Sequence, residues 1–131
     1  MFGKENKAKL HAHVSLIGPG TRIEGNVHFS GGLRIEGEVL GNVEVEEGAS
    51  GTLFLSEQAR VQGRVGVSNF VSSGTVVGPV VVSESLELQP SAKIEGDVEY
   101  EMIEMHQGAV IDGRLTHRGK SSVELKLAAS N

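Results

Sequence analysis

The chain of 131 residues has no cysteine and no tryptophan, and only three prolines. Without cysteine there is no disulfide framework and no thiolate metal site, and a reducing compartment is compatible with this composition. Aromatic residues are few: Phe2, Phe29, Phe54, Phe70 and Tyr100. That suits a narrow core of thin layers better than a wide globular one. No run approaches the roughly 18 apolar residues of a membrane span. Residues 1–13 lack the apolar stretch of a signal peptide, so the mature protein is expected to start at Met1 and stay in the cytoplasm. The length is one domain's worth. The net charge of −5 is uneven. Lys4, Lys7 and Lys9 outweigh Glu5 at the start, and Arg118, Lys120 and Lys126 outweigh Glu124 at the end. The body between them is acidic. Nucleic acid is therefore not expected as the main partner, because backbone binding needs a basic groove or stripe.

Glycine, by contrast, is abundant, with 18 residues, and six of these stand in a recurring phrase. Ile94-Glu95-Gly96-Asp97-Val98 has variants at Ile23–Val27, Val39–Val43, Val61–Val65, Val76–Val80 and Ile111–Leu115. A small residue precedes each by two positions: Thr21, Gly37, Ala59, Gly74, Ala92 and Ala109. The glycines at 25, 41, 63, 78, 96 and 113 are separated by steps of 16, 22, 15, 18 and 17. A period in this range is the signature of stacked coils. Within each phrase apolar residues alternate with polar ones, which is strand periodicity. Each strand is short and buries one face, so it is stable only when stacked on its equivalents. Ile23, Val39, Val61, Val76, Ile94 and Ile111 are expected to form one inward column, filled with β-branched residues that pack well on a pleated surface. The glycines are either inward by parity or mark a corner with positive φ. The Gly-rich break at 48–51 accounts for the 22-residue step as a coil plus about four inserted residues. Hexapeptide phase from Ile23 fails at Glu47, and parallel crossovers are right-handed as a rule. The expectation is an all-β, right-handed parallel β-helix of about six coils over residues 14–115, a rod about 29 Å long at strand spacing. Residues 1–13 are read as a disordered, polar, membrane-targeting tail. Residues 116–131 are read as a second tail, in which Val123, Leu125 and Leu127 alternate and make a candidate extra strand.

The repeated [A/T]-x-[I/V]-x-G-x-[V/L] pattern, in Thr21–Val27, Ala59–Val65, Ala92–Val98 and Ala109–Leu115, resembles that of the bactofilins, small bacterial cytoskeletal proteins. The resemblance covers roughly residues 14–115, and the Met1-Phe2-Gly3-Lys4 start is similar to the membrane-targeting start of many members. It departs from the pattern in the 41-to-63 step and in Pro79. It implies a right-handed β-helix that polymerises end to end without nucleotide into non-polar filaments. It also implies a membrane-associated scaffold for cell shape or for localising cell-wall enzymes. The expected partners are therefore further copies of the chain, the anionic inner face of the cytoplasmic membrane, and cell-wall enzymes or other scaffolded proteins. No cofactor is expected.

Candidate site residues follow. Met1 and Phe2 beside Lys4, Lys7 and Lys9 form an apolar-plus-basic pattern that suits an anionic membrane surface. The open coils of a β-helix expose unpaired backbone groups and an apolar layer, which invites stacking. Val14, Leu16, Ile17 and Ile23 at one end, and Met102, Ile103, Met105, Val110, Ile111 and Leu115 at the other, are the expected polymerisation interface. Val77, Pro79 and Val81 point outward by parity where other coils place polar residues. They are read either as a bulge that turns part of the run inward or as an apolar lateral patch for bundling or docking.

The competing class is an enzyme on a β-helix, such as a hexapeptide-type acyltransferase. Gly119-Lys120-Ser121 lacks the earlier glycine of a phosphate loop: position 114 is Arg, Gly113 is one too far, and no helical run follows. Glu95, Asp97 and Glu99 sit at spacing two on the outward face and are read as solvated or ion-paired rather than catalytic. His11 and His13 lack further metal partners. His28, His106 and His117 recur in phase with no nucleophile, and His106 is the one candidate for an acyltransferase histidine. No catalytic, cofactor or metal residue is assigned.

Overall fold

A computed structural model describes residues 14–118. Among them the chain forms sixteen strands and no helix, and every strand pairing is parallel. The strands stack as six coils of a β-helix, each coil contributing to three faces. Face one holds Val14–Ile17, Gly31–Ile35, Gly51–Leu55, the second parts of Val65–Ser72 and Val80–Leu88, and Met102–Met105. Face two holds Arg22–Glu24, Glu38–Leu40, Arg60–Gln62, Thr75–Val77, Lys93–Glu95 and Val110–Asp112. Face three holds Val27–Phe29, Val43–Val45, the first parts of the two long strands, Val98–Tyr100 and Leu115–His117. The last described strand is Leu115–His117.

The inward columns form because side chains in register on a parallel ladder share a face. On face two, Ile23, Val39, Val61, Val76, Ile94 and Ile111 pair in succession, the column expected from the repeat. Face one supplies two columns, Ser15-Leu33-Leu53-Phe70-Leu86-Ile103 and Ile17-Ile35-Leu55-Ser72-Leu88-Met105. Face three supplies Val27-Val43-Val65-Val80-Val98-Leu115. Together these columns make one continuous core. Ser72 is the buried polar member of these columns, and it is satisfied locally: its Oγ accepts the Gly74 N–H at 3.2 Å.

The repeat glycines are corner residues. Gly63 has φ +154, and a Cβ there would lie 2.1 Å from the Gly41 carbonyl oxygen. The backbone of one corner thus sits directly against the next, which no side chain permits. At three of these corners the residue after the glycine completes the turn. Asn26 Oδ1 accepts the Asn42 N–H at 2.9 Å, Asn42 Oδ1 accepts the Arg64 N–H at 2.9 Å, and Asp97 Oδ1 accepts the Arg114 N–H at 3.0 Å. Pro79 fits the same scheme. It follows Arg64, whose side chain has no acceptor, and it has no N–H to satisfy.

The uneven steps come from the other corners. Between faces one and two, residues 18–21, 56–59, 89–92 and 106–109 make wide turns, whereas 36–37 and 73–74 make narrow ones. Gly37 and Gly74 let the narrow corners tuck against the wide turn of the preceding coil, since a Cβ at Gly37 would stand 2.3 Å from the Thr21 carbonyl oxygen. The 22-residue step combines a wide turn with the loop 46–50.

Candidate polymerisation surfaces

Two edges of the helix are open among the described residues. Val14–Ile17, Arg22–Glu24 and Val27–Phe29 form the first coil, and Met102–Met105, Val110–Asp112 and Leu115–His117 form the last; each pairs with a neighbour on one side only. Among the described residues the exposed large apolar ones all fall on these two coils: Val14, Leu16, Met102, Met105, Val110 and Leu115.

Register separates the expected interface residues into two groups. Ile17 and Ile23 at one end, and Ile103, Met105, Ile111 and Leu115 at the other, continue inward columns. They form the end layers that a stacking copy would cover. Met105 is 44% exposed and Leu115 48%. Val27 and Phe29 belong to the first layer too, although they are not among the expected interface residues. The other group lies on the outer flank of its end coil. Leu16, 61% exposed, pairs with Arg34, which pairs with Phe54 on the outward row. Val14 lies over Gly32, where a Cβ would meet Val14 Cγ2 at 2.9 Å. Met102, 67% exposed, pairs with Ser85, and Val110 with Lys93, again on outward rows. An end-on contact reaches the first group directly and the second only at its rim.

Val77 and Val81 are half-buried and Pro79 is exposed, while Val76, Val80 and Val82 are buried. The run keeps its parity, and the bulge comes later, between Val82 and Ser85. The three residues therefore form a small outward apolar strip along the corner between faces two and three. Met1, Phe2, Lys4, Lys7, Lys9, His11 and His13 lie outside the described residues, as do Gly119-Lys120-Ser121 and Val123, Leu125 and Leu127.

Several of the side chains weighed for catalysis are engaged structurally. Glu95 Oε2 lies 3.8 Å from Lys93 Nζ, and Asp97 holds the next coil. Arg64 pairs across coils with Glu44 at 3.2 Å. His117 Nε2 lies 2.8 Å from the Glu101 carbonyl oxygen, with its ring against Tyr100. His106 Nε2 stands 3.0 Å from Glu104 Oε2 and 3.4 Å from Glu87 Oε2. These three have the residue types of a cation site, and their ligating atoms all lie within 4.8 Å of one another. Glu87 and Glu104 sit on the outer surface of face one and His106 opens the turn that follows it, with the Glu104 side chain 68% exposed, an arrangement suited to a surface ion-pair group. The depression over the corner at Pro19, Arg34, Glu36, Ser56 and Ser73 brings together an Arg–Glu pair at 2.7 Å but no histidine to activate a nucleophile. Among the described residues no helix is long and apolar enough to cross a membrane.

Comparison with known proteins places this geometry. Residues 15–116 match the family model "Bactofilin: Polymer-forming cytoskeletal". The chain is 30% identical over 112 residues to Bactofilin BacP of Myxococcus xanthus (strain DK1622), an alignment covering 86% of this chain and 45% of BacP. It is 26% identical over 111 residues to Bactofilin BacO of the same organism, covering 85% of this chain and 84% of BacO. The chain thus spans less than half the length of one of these relatives and most of the other. No solved structure matches significantly.

Proposed function

The chain belongs to the bactofilin family, whose model describes a polymer-forming cytoskeletal domain, and we propose that it builds filaments by end-to-end stacking of its β-helix. The observation that carries this is that, among the described residues, the exposed large apolar side chains are confined to the first and last coils. Interior coils have neighbours on both sides; the end coils each have one open edge, and a second copy supplies the missing coil. Like ends meeting, N-terminal to N-terminal and C-terminal to C-terminal, gives an isologous contact at each joint and a filament without polarity. Assembly requires no nucleotide in this reading, since stacking needs only the two end layers.

The filament is proposed to lie on the cytoplasmic face of the membrane. Met1 and Phe2 enter the interface while Lys4, Lys7 and Lys9 meet anionic headgroups, each lysine contributing about 1 kcal/mol near the surface. One such tail binds weakly, but a filament presents many, and avidity multiplies the contact. A scaffold of this kind supports cell shape or localises cell-wall enzymes. Electron microscopy of the purified chain without nucleotide tests the polymer: filaments are expected, and a monodisperse monomer at high concentration refutes it. Sedimentation with anionic liposomes, comparing the full chain with one lacking residues 1–13, tests the tail. Pelleting is expected to fall on truncation, and equal pelleting dismisses the tail as an anchor.

A further inference from the structure

Two carboxylates stack on the outside of face one without a lysine or arginine to offset them. Glu87 in coil five and Glu104 in coil six are register partners on the outward row. Like charges directly opposite each other on a ladder repel. Among the described strands the other acidic pair in register is Glu95 with Asp112, and there Lys93 Nζ lies 3.8 Å from Glu95 Oε2. Among the described residues neither Glu87 nor Glu104 pairs with a lysine or arginine; both face His106. Its Nε2 is closed to solvent and makes no hydrogen bond, although Glu104 Oε2 stands 3.0 Å away and Glu87 Oε2 3.4 Å. As an ion-pair group such a cluster works only while the imidazole is protonated. With a neutral imidazole it is two stacked carboxylates around a nitrogen lone pair, which is a donor set for a divalent transition metal.

We propose that Glu87, Glu104 and His106 bind one Zn²⁺, which clamps the last coil to the body of the β-helix. The ligating atoms of the three side chains all lie within 4.8 Å of one another. In a tetrahedral site with ligands at about 2.0–2.1 Å, neighbouring ligand atoms stand about 3.3 Å apart. The two distances from His106 Nε2 already match that spacing. Only the two carboxylate oxygens have to adjust to each other, and Glu104, 68% exposed, has room to do so. The scaffold is preset. Glu87 and Glu104 are held on neighbouring strands of a parallel ladder, and the His106 N–H donates to the Leu88 carbonyl at 2.9 Å. Gln89 Nε2 donates to Glu87 Oε2 and so orients that carboxylate, as outer partners of metal ligands commonly do. Water completes a set of three protein ligands.

One imidazole nitrogen with two carboxylate oxygens suits zinc better than magnesium, which prefers oxygen ligands and keeps its water shell. The chain has no cysteine, so no thiolate competes for the metal. The three ligands span coils five and six, so binding stabilises the coil that carries Ile103 and Met105. The inference goes beyond the polymer reading and stands apart from it, because metal binding is read on the chain whether or not filaments form.

Calorimetric titration of the full-length chain with Zn²⁺ tests the site. One Zn²⁺ per chain is expected here, and Glu104→Gln and His106→Ala should each weaken its binding at least ~10-fold, since even the outer partners of metal ligands matter that much. Mg²⁺ at the same concentration is not expected to compete. His11 and His13 are the other closely spaced histidines, so the double variant His11→Ala with His13→Ala serves as the control and is expected to keep the affinity of the parent. Hydrogen exchange gives the location. With Zn²⁺ at about ten times its Kd, the amides of Met102–His106 should exchange ~10-fold more slowly in the parent and unchanged in His106→Ala. The absence of binding, affinity that survives in Glu104→Gln and His106→Ala, or binding that leaves these amides unprotected each overturns the proposal.

Discussion

Coils five and six carry nearly the same phrase, yet their side chains meet different fates. Val98 is fully buried, and Leu115, its partner one coil on, is 48% exposed. Leu88 is fully buried and Met105, in the same column, is 44% exposed. Both members of each pair are apolar and point inward. Among the described residues, only the next coil is missing. Burial in a coiled repeat is therefore conferred by the neighbour rather than by the residue, and the last coil is a core layer waiting for one. This is why stability and assembly draw on the same chemistry here, and why substitutions at equivalent positions are expected to separate the two.

The largest effect comes from placing a charge in each column. Val98→Glu puts a carboxylate where no water reaches, a cost of several kcal/mol, comparable to the ~5–15 kcal/mol that holds a domain together. The variant is expected to unfold or to lose its cooperative melt by circular dichroism. Leu115→Glu, at the equivalent position one coil later, is expected to melt within about 1 kcal/mol of the parent, because the side chain can remain in water. It blocks the C-terminal joint instead, since joining would bury the charge. Ile103→Asp is expected to act alike. Size-exclusion with light scattering should show dimers joined through their N-terminal ends in place of polymer. Filaments that persist in both folded variants would remove the C-terminal layer from the interface.

The corner glycines offer a second contrast of interior and end. Gly63→Ala forces a Cβ to 2.1 Å from the Gly41 carbonyl oxygen in a backbone conformation with φ +154. Gly25, in the first coil, has φ +135 but nothing within 4 Å of its added Cβ. Gly25→Ala is expected to cost about 1–3 kcal/mol from strained backbone alone. Gly63→Ala should cost more, since two backbones must also move apart. Denaturant titration of both variants measures the difference, and equal losses would mean that close approach contributes nothing beyond φ.

Much of this architecture is legible in the sequence, because the coil period is written in both residue type and parity. The column from Ile23 to Ile111 can be read directly, since alternation fixes the face and the glycine fixes the phase. The corner role of the glycines cannot be read, because parity allows an inward position equally well; only the contact of successive corners decides it. The end layers are half legible. Composition identifies Leu16, Met102 and Val110 as apolar and near an end, but parity within the first and last strands puts them on the flank. That parity is set by pairing to Arg34, Ser85 and Lys93, residues far away in sequence. The polar ladder of Asn26, Asn42 and Asp97 left a signal, an amide or carboxylate after the repeat glycine. It is broken by Arg64 and Pro79, so it does not read as a motif.

That break supplies the smallest and most specific test. Asn42→Ala leaves the Arg64 N–H without its acceptor, and a typical net loss is about 1 kcal/mol. Asn42→Asp is expected to recover most of it, since Asp97 accepts the equivalent N–H with a carboxylate oxygen. The Arg64–Pro79 step should behave differently. Arg64→Asn supplies an acceptor, but Pro79 has no N–H to meet it, and the pair of Arg64 with Glu44 is lost as well. Alone, Arg64→Asn is expected to be neutral or slightly destabilising. Pro79→Ala alone adds an N–H with no side-chain acceptor. Together, Arg64→Asn and Pro79→Ala recreate the ladder seen between Asn42 and Arg64, so the double variant should exceed the sum of the singles by about 1 kcal/mol. The loss of the Glu44 pair appears in both arms of this cycle and cancels. Chemical denaturation of the four proteins in the cycle measures the coupling directly. A coupling near zero would mean that Pro79 is fixed by the conformation of its corner and not by the missing acceptor beneath it.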